Sequence, residues 1–187
     1  AAADDPGDKT PADVSGASDT ASTSAVAANT SAATSQEKTV APPPPPLSGT
    51  ILAVTGDQNL TPYVSEIMMT ELSAVGISAE DATVLPGWDD LMLQNPQTAY
   101  LVDQVKAAGF AELVLVRVDP TGQRRLNYMG RSDTAYSARV TIQKYDVASG
   151  RPIGKRASGA VEYTQLNAQG EAEKKVGPLA RQFTSGL

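Results

Sequence analysis

The stretch Val102-Asp103-Gln104-Val105-Lys106-Ala107-Ala108-Gly109-Phe110-Ala111-Glu112-Leu113-Val114-Leu115 decides the layout of this chain. Its first half belongs to a helix whose apolar positions are Ala99, Leu101, Val102, Val105 and Ala108, the spacing of one helix face. Gly109 stops that helix, and Phe110 beyond it is the apolar residue that commonly closes a glycine cap. Leu113-Val114-Leu115-Val116 follows almost at once. A continuous apolar run this short reads as a strand buried on both faces, the kind found between layers of helix. A helix dropping straight into a buried strand is an α/β step.

Working outward, the same step recurs upstream. Ile51-Leu52-Ala53-Val54 is a second short apolar run, ended by Gly56-Asp57. Thr61-Pro62 then predicts a helix start, with Thr61 as N-cap and Pro62 at the first helical position. Val64, Ile67, Met68, Leu72 and Val75 mark its apolar face, and Gly76 with Ile77 its end. Ala82 to Leu85 reads as a strand stopped by Pro86-Gly87, and Trp88 to Leu93 as a helical turn that tucks Trp88 against the core. Asn95-Pro96 repeats the cap-and-proline signal ahead of the next helix. Downstream, Asp119-Pro120-Thr121-Gly122 predicts a turn. Ala138, Val140 and Ile142 alternate with Arg139, Thr141 and Gln143, a strand with one wet face. Ala148-Ser149-Gly150 turns the chain, and Ile153 to Tyr163 returns. A last stripe of Ala172, Val176, Leu179, Ala180 and Phe183 is helical, with Gly177-Pro178 expected to split it. The predicted class is therefore α/β (α+β), a single mixed sheet with helices packed on it.

That compact domain occupies residues 50–187, and residues 1–49 differ in kind. All nine aromatic residues lie in the former. The first 49 residues hold only Val14, Val26, Val40 and Leu47 as larger apolar groups, too few to offset the entropy of ordering. They are expected to form a disordered Ala/Ser/Thr/Asp tail that ends in the polyproline run Pro42 to Pro46, a spacer and tether. Six carboxylates against Lys9 and Lys38 give the tail a charge of −4, leaving −2 for the domain out of a total of −6. A nearly neutral domain without a basic stripe argues against nucleic-acid binding. The first residue is Ala1 rather than Met, so a processed or trimmed chain is expected.

Histidine and cysteine are both absent, which excludes imidazole and thiolate chemistry and most metal-ligand sets. Gly150-Arg151-Pro152-Ile153-Gly154-Lys155-Arg156 has three residues between its glycines and Arg156 where a phosphate loop needs a hydroxyl, so it does not read as one. Asp89-Asp90 and the pair Glu171 and Glu173 are the close acidic pairs, more simply read as cap and dipole partners than as acid/base sites. Ser158 lacks a nucleophile elbow, although Lys155 leaves a Ser–Lys dyad open. An enzyme or small-ligand domain using carboxylates or Lys is thus one alternative, and a purely structural fragment of a larger assembly another. No cofactor or metal is expected. Asp119 to Asp133 carries Gln123, Arg124, Arg125, Asn127, Tyr128, Met129 and Arg131 between two strands. It reads equally as a functional loop and as a solvated extended hairpin. Arg124, Arg125, Tyr128 and Arg131 are the candidate partner-binding residues, being of types enriched at protein interfaces.

The tail, the strand Ile51–Val54, the helix ending at Gly76 and the Val102–Leu115 step together resemble the penicillin-binding-protein activator family, LpoB. More broadly they resemble the domain shared by the TolB amino-terminal region and CsgG-type lipoproteins. The pair Ala138–Asp146 and Ile153–Val161 is similar to that family's closing hairpin. The resemblance implies a non-enzymatic periplasmic protein-binding domain of an outer-membrane-anchored lipoprotein, with a lipidated Cys before Ala1 as its sole membrane attachment. It implies another envelope protein, such as a peptidoglycan synthase, as partner. Asp119 to Asp133 is too short and too polar for the paired spanning strands of a secretion pore.

Overall fold

The computed structural model describes residues 46–89, 96–128 and 130–187. The expected tail, up to residue 45, and Asp90 to Asn95 lie outside the described residues. The element order is β1 (Thr50–Gly56), α1 (Thr61–Ala74), β2 (Ala79–Asp81), a 3-10 turn (Ala82–Val84), α2 (Thr98–Ala107), β3 (Glu112–Tyr128), β4 (Arg131–Asp146), β5 (Arg151–Tyr163) and α3 (Ala168–Thr184). The strands form one mixed sheet, as the alternation of elements predicts, and their order is β2-β1-β3-β4-β5.

β1 lies between β2 and β3, parallel to both, and is buried from Thr50 to Thr55. One sheet face carries Leu52, Val54, Val114, Val116, Val118, Val140 and Ile142 against Val64, Met68 and Leu72 of α1 and Val176, Ala180 and Phe183 of α3. The other carries Ile51, Ala53, Leu113 and Leu115 against Leu101, Val102 and Val105 of α2, with Leu85 and Trp88 beside them. Trp88 is therefore tucked against the core as expected. The parallel pair is fastened at its entrance by Glu112, whose carboxylate accepts from Thr50 Oγ1 at 2.9 Å and meets Lys144 Nζ of β4 at 2.8 Å. Leu47, which the sequence places with the tail, packs against the second face, and Ser48 N–H donates to the Gly109 carbonyl.

Both glycine caps form as read. Ile77 N–H donates to the Leu72 carbonyl and Gly76 N–H to that of Ser73, while Phe110 and Gly109 do the same to Val105 and Lys106. These are the paired bonds of a Schellman ending, with glycine supplying positive φ.

Other boundaries differ from expectation. Thr61 does not cap α1: Leu60 holds the cap position, and Thr61 Oγ1 donates back to the Asp57 carbonyl at 2.8 Å. The strand expected at Ala82 to Leu85 lies at Ala79–Asp81 instead, because Asp81 Oδ1 accepts from Thr83 N–H and winds the next residues into a 3-10 turn. α2 starts at Thr98 behind Gln97, two residues past Pro96. Gly177-Pro178 does not split α3. Pro178 and Lys174 are both exposed, so water can serve the Lys174 carbonyl that loses its helical donor, while the apolar stripe stays continuous.

The largest difference concerns Asp119 to Gly122. It is no turn; β3 runs through it, with an irregularity of register between Pro120 and Gly122. β1 pairs no further than Gly56 with Val118, so β3 becomes an edge strand there, and edges and bulges are where a strand accepts proline.

At that point Gly56 adopts a φ of +113°, and a Cβ on it would meet the Val118 carbonyl oxygen at 2.0 Å. Gly76 also has positive φ, yet has open space around it. Gly56→Ala should therefore cost at least about 2 kcal/mol of stability, against roughly 1 kcal/mol for Gly76→Ala. Urea unfolding of both variants checks this, and equal losses would contradict the close approach.

A candidate docking surface at the β3–β4 arm

β4 pairs β3 along its whole length, but β5 pairs β4 only as far as Tyr163 opposite Tyr136. With β1 ending at Val118, three strands continue as far as Gln123 opposite Tyr136, and the stretch from Arg124 to Ala135 beyond them is a two-stranded arm. Of the two readings open for this segment, the structure gives the extended hairpin. Its backbone register is continuous from Gly122 opposite Ser137 to Tyr128 opposite Arg131.

The candidate residues are thereby carried on one element. Arg124 pairs across strands with Ala135, and its guanidinium reaches Glu162 Oε2 of β5 at 3.4 Å. Arg125 is exposed and donates from Nε to Ser132 Oγ at 2.7 Å. Tyr128 and Arg131 are register partners at the distal end; their side chains lie outside what is described. The Arg124–Glu162 pair is about two-thirds exposed on both sides, so it contributes little to stability.

Sequence reasoning missed what anchors the base of the arm. Tyr163, only 1% exposed, stacks on Tyr136 with ring centroids 5.5 Å apart. Its hydroxyl donates to the Asp57 carboxylate just past β1, 106 residues away. Asp57 Oδ1 also accepts from Asn59 N–H at 3.0 Å and from its side-chain amide at 3.2 Å. Burial, and then the Asp57 bond and charge, push the Tyr163 phenol well above its ordinary value of 10.0. Tyr163 closes the alternating pattern of β5, a local sign of burial, but no local signal links it to Asp57. Beside this base lies a groove of about 590 Å³, whose walls include Arg124, Leu126, Ala135, Glu162, Lys174 and Lys175.

The remaining candidates are dispersed. Asp89 is exposed, and Asp90 lies outside the described residues. Glu171 meets Lys174 at 3.7 Å and Glu173 accepts from Gln169, as surface helix residues do. Ser158 Oγ lies 3.3 Å from Thr141 Oγ1 across the strand pair, and Lys155 is exposed on β5. Gly150 to Arg156 is the β4–β5 turn and the start of β5, not a helix-opening loop. Among the described residues, no three carboxylates cluster as metal ligands, and no helix is long and apolar enough to cross a membrane.

No protein-family model and no curated protein matches the sequence. Among solved structures, the chain is similar to a PelC dodecamer from Paraburkholderia phytofirmans at 13% identity, with a TM-score of 0.44, over 76% of this chain and 92% of that chain. It is similar to lipoprotein GNA1162 from Neisseria meningitidis at 16% identity and a TM-score of 0.44, over 74% and 99%. A third is the protein CT253 from Chlamydia trachomatis, at 11% identity and a TM-score of 0.37, over 74% and 94%.

Replacing Tyr163 by Phe removes one hydrogen bond to a carboxylate and should cost about 1.5–3 kcal/mol. Because the folded state raises this phenol's pKa, its contribution is complete below pH 10 and is lost as pH rises beyond it. Denaturant titrations of both proteins from pH 8 upward should therefore show their stability difference shrinking above pH 10. A difference that stays constant with pH would remove the phenol as its source.

Proposed function

We propose that this chain is a non-enzymatic, envelope-located protein-binding domain, which the arm docks onto another envelope protein. The observation that supports this reading most is the arm itself. A two-stranded ribbon is marginal without a third strand or a covering helix, and this one keeps two free edges and carries Arg124, Arg125 and Arg131. Arg124 has a weak, exposed carboxylate partner and Arg125 has none among the described residues, leaving both free to meet an acidic partner surface. The absence of histidine and cysteine from the sequence adds weight against catalysis. The acidic tail then serves as a tether, in the manner that the resemblance to the LpoB activators implies, and the partner is a peptidoglycan synthase or a protein working beside one.

The test is the triple variant Arg124→Glu, Arg125→Glu, Arg131→Glu, measured for binding to a purified peptidoglycan synthase by surface plasmon resonance. Affinity should fall at least tenfold while the far-UV CD spectrum and urea midpoint stay unchanged. Unaltered affinity takes the arm out of the interface. No binding by the wild-type chain takes the synthase out of the proposal.

A further inference from the structure

Where β5 leaves the sheet, β4 loses a neighbour. The last β4–β5 pair is Tyr136 with Tyr163, whereas β4 begins at Arg131. Residues 131–135 are thus paired to β3 on one side and to no strand on the other, leaving about 16 Å of free strand edge at roughly 3.3 Å per residue. A strand edge presents its outward N–H and C=O groups as a template for another strand.

The groove of about 590 Å³ lies beside this edge, with Leu126 and Ala135 on the arm side and Lys174 and Lys175 of α3 on the other. Its cations are Arg124, Lys174 and Lys175, and its carboxylates are Glu162 and Glu171. The two ion pairs among them are long, 3.4 Å and 3.7 Å, and largely exposed on the basic side, so an incoming carboxylate can replace either at small cost. Lys175 has no ion-pair partner among the described residues. On the arm, Arg125 offsets Asp133 in formal charge, so with three cations against two carboxylates in the groove the described surroundings of the edge are net positive on a domain that is net negative.

Resting on the reading of the arm as a docking surface, we propose that this groove takes an extended acidic segment of the partner as an added strand. The segment pairs with β4 at residues 131–135 in line with β5, and its carboxylates face Arg124, Lys174 and Lys175. Backbone hydrogen bonds to the edge supply affinity, and the basic side chains select the sequence. The chain's own tail has the right charge but is rich in Ala, Asp and Pro, types depleted in strands. It makes a poor sixth strand.

The probe is the synthetic octapeptide Thr-Glu-Val-Glu-Thr-Glu-Val-Glu, added to the full 187-residue chain. Binding should slow amide hydrogen exchange within residues 131–135 at least tenfold. Lys174→Glu with Lys175→Glu should weaken it at least tenfold by fluorescence anisotropy, with the urea midpoint unchanged. The same peptide N-methylated at alternate amides should bind at least tenfold more weakly, as should its Glu-to-Lys counterpart. Equal binding of the N-methylated peptide, or no protection at 131–135, overturns strand addition. If the arm triple variant still loses the synthase in that case, the docking reading stands and only the strand fails. If the octapeptide behaves as expected while the synthase binds the triple variant as tightly as the wild-type chain, the docking reading fails instead. Protection at 131–135 in the peptide-free chain that vanishes on replacing Asp4, Asp5, Asp8, Asp13 and Asp19 by Asn assigns the edge to the tail and overturns the partner assignment.

Discussion

The parallel pairing of Thr50–Gly56 with Glu112–Val118 is the constraint from which the rest of this structure follows. Each strand is buried on both faces, so each must have a helical layer above and below it. α1 and α3 form one layer, and α2 with Trp88 forms the other. The Glu112 carboxylate, bonded to Thr50 on one side and Lys144 on the other, sets the register of three strands at one end. A slip of one residue would turn the Leu113 and Leu115 set into the face of Val114 and Val116. Both sets are apolar, so side-chain polarity discriminates poorly against that slip. Polar anchors such as Glu112 and the glycine approach at Gly56 discriminate better.

That same pairing ends abruptly, and its ending creates the arm. β1 turns away at Gly56, where its backbone touches the Val118 carbonyl, yet β3 continues for ten more residues. The other edge of the sheet is managed differently. β5 begins with Arg151, Pro152, a positive-φ Gly154, Lys155 and Arg156, together with a register shift opposite Ile142 and Lys144. Proline, bulges and charge are the devices that keep an edge from pairing indiscriminately. The β4 edge at residues 131–135 lacks proline.

The α/β layout was legible because it rests on local signals. The runs Ile51–Val54 and Leu113–Val116, the helical stripes and the glycine caps at Gly76 and Gly109 report on the nearest ten residues; they appear where expected, except that Val75, Ala99 and Ala108 at the stripe ends are exposed. Boundaries that depend on distant partners were not legible. Thr61 looks like a cap only until Asp57 takes its hydroxyl. Asp119-Pro120-Thr121-Gly122 looks like a turn because every residue in it favours one, yet pairing with Ala138 and Ser137 overrides that preference. Pro178 looks like a helix break, but packing of Val176, Leu179, Ala180 and Phe183 outweighs one lost bond on a wet face. The arginines of the arm were visible as a cluster without a shape. Asp57 and Tyr163 were invisible as a pair, since 106 residues separate them.

These two kinds of information meet at the base of the arm. A ribbon whose root can swing presents its side chains in many geometries, and ordering it on contact would weaken binding by the entropy lost. Here the root is fixed at three points. Tyr163 stacks on Tyr136 of β4, its hydroxyl reaches Asp57 past the end of β1, and Asp57 is itself fastened by Asn59 ahead of α1. The stack joins β4 to β5, and the Tyr163 bond carries that junction on to the segment between β1 and α1. The outer strands can therefore stay free of a third neighbour and still be held in one orientation, so rigidity comes from buried aromatic and carboxylate groups at the root. The exposed arginines are left to the surface they meet.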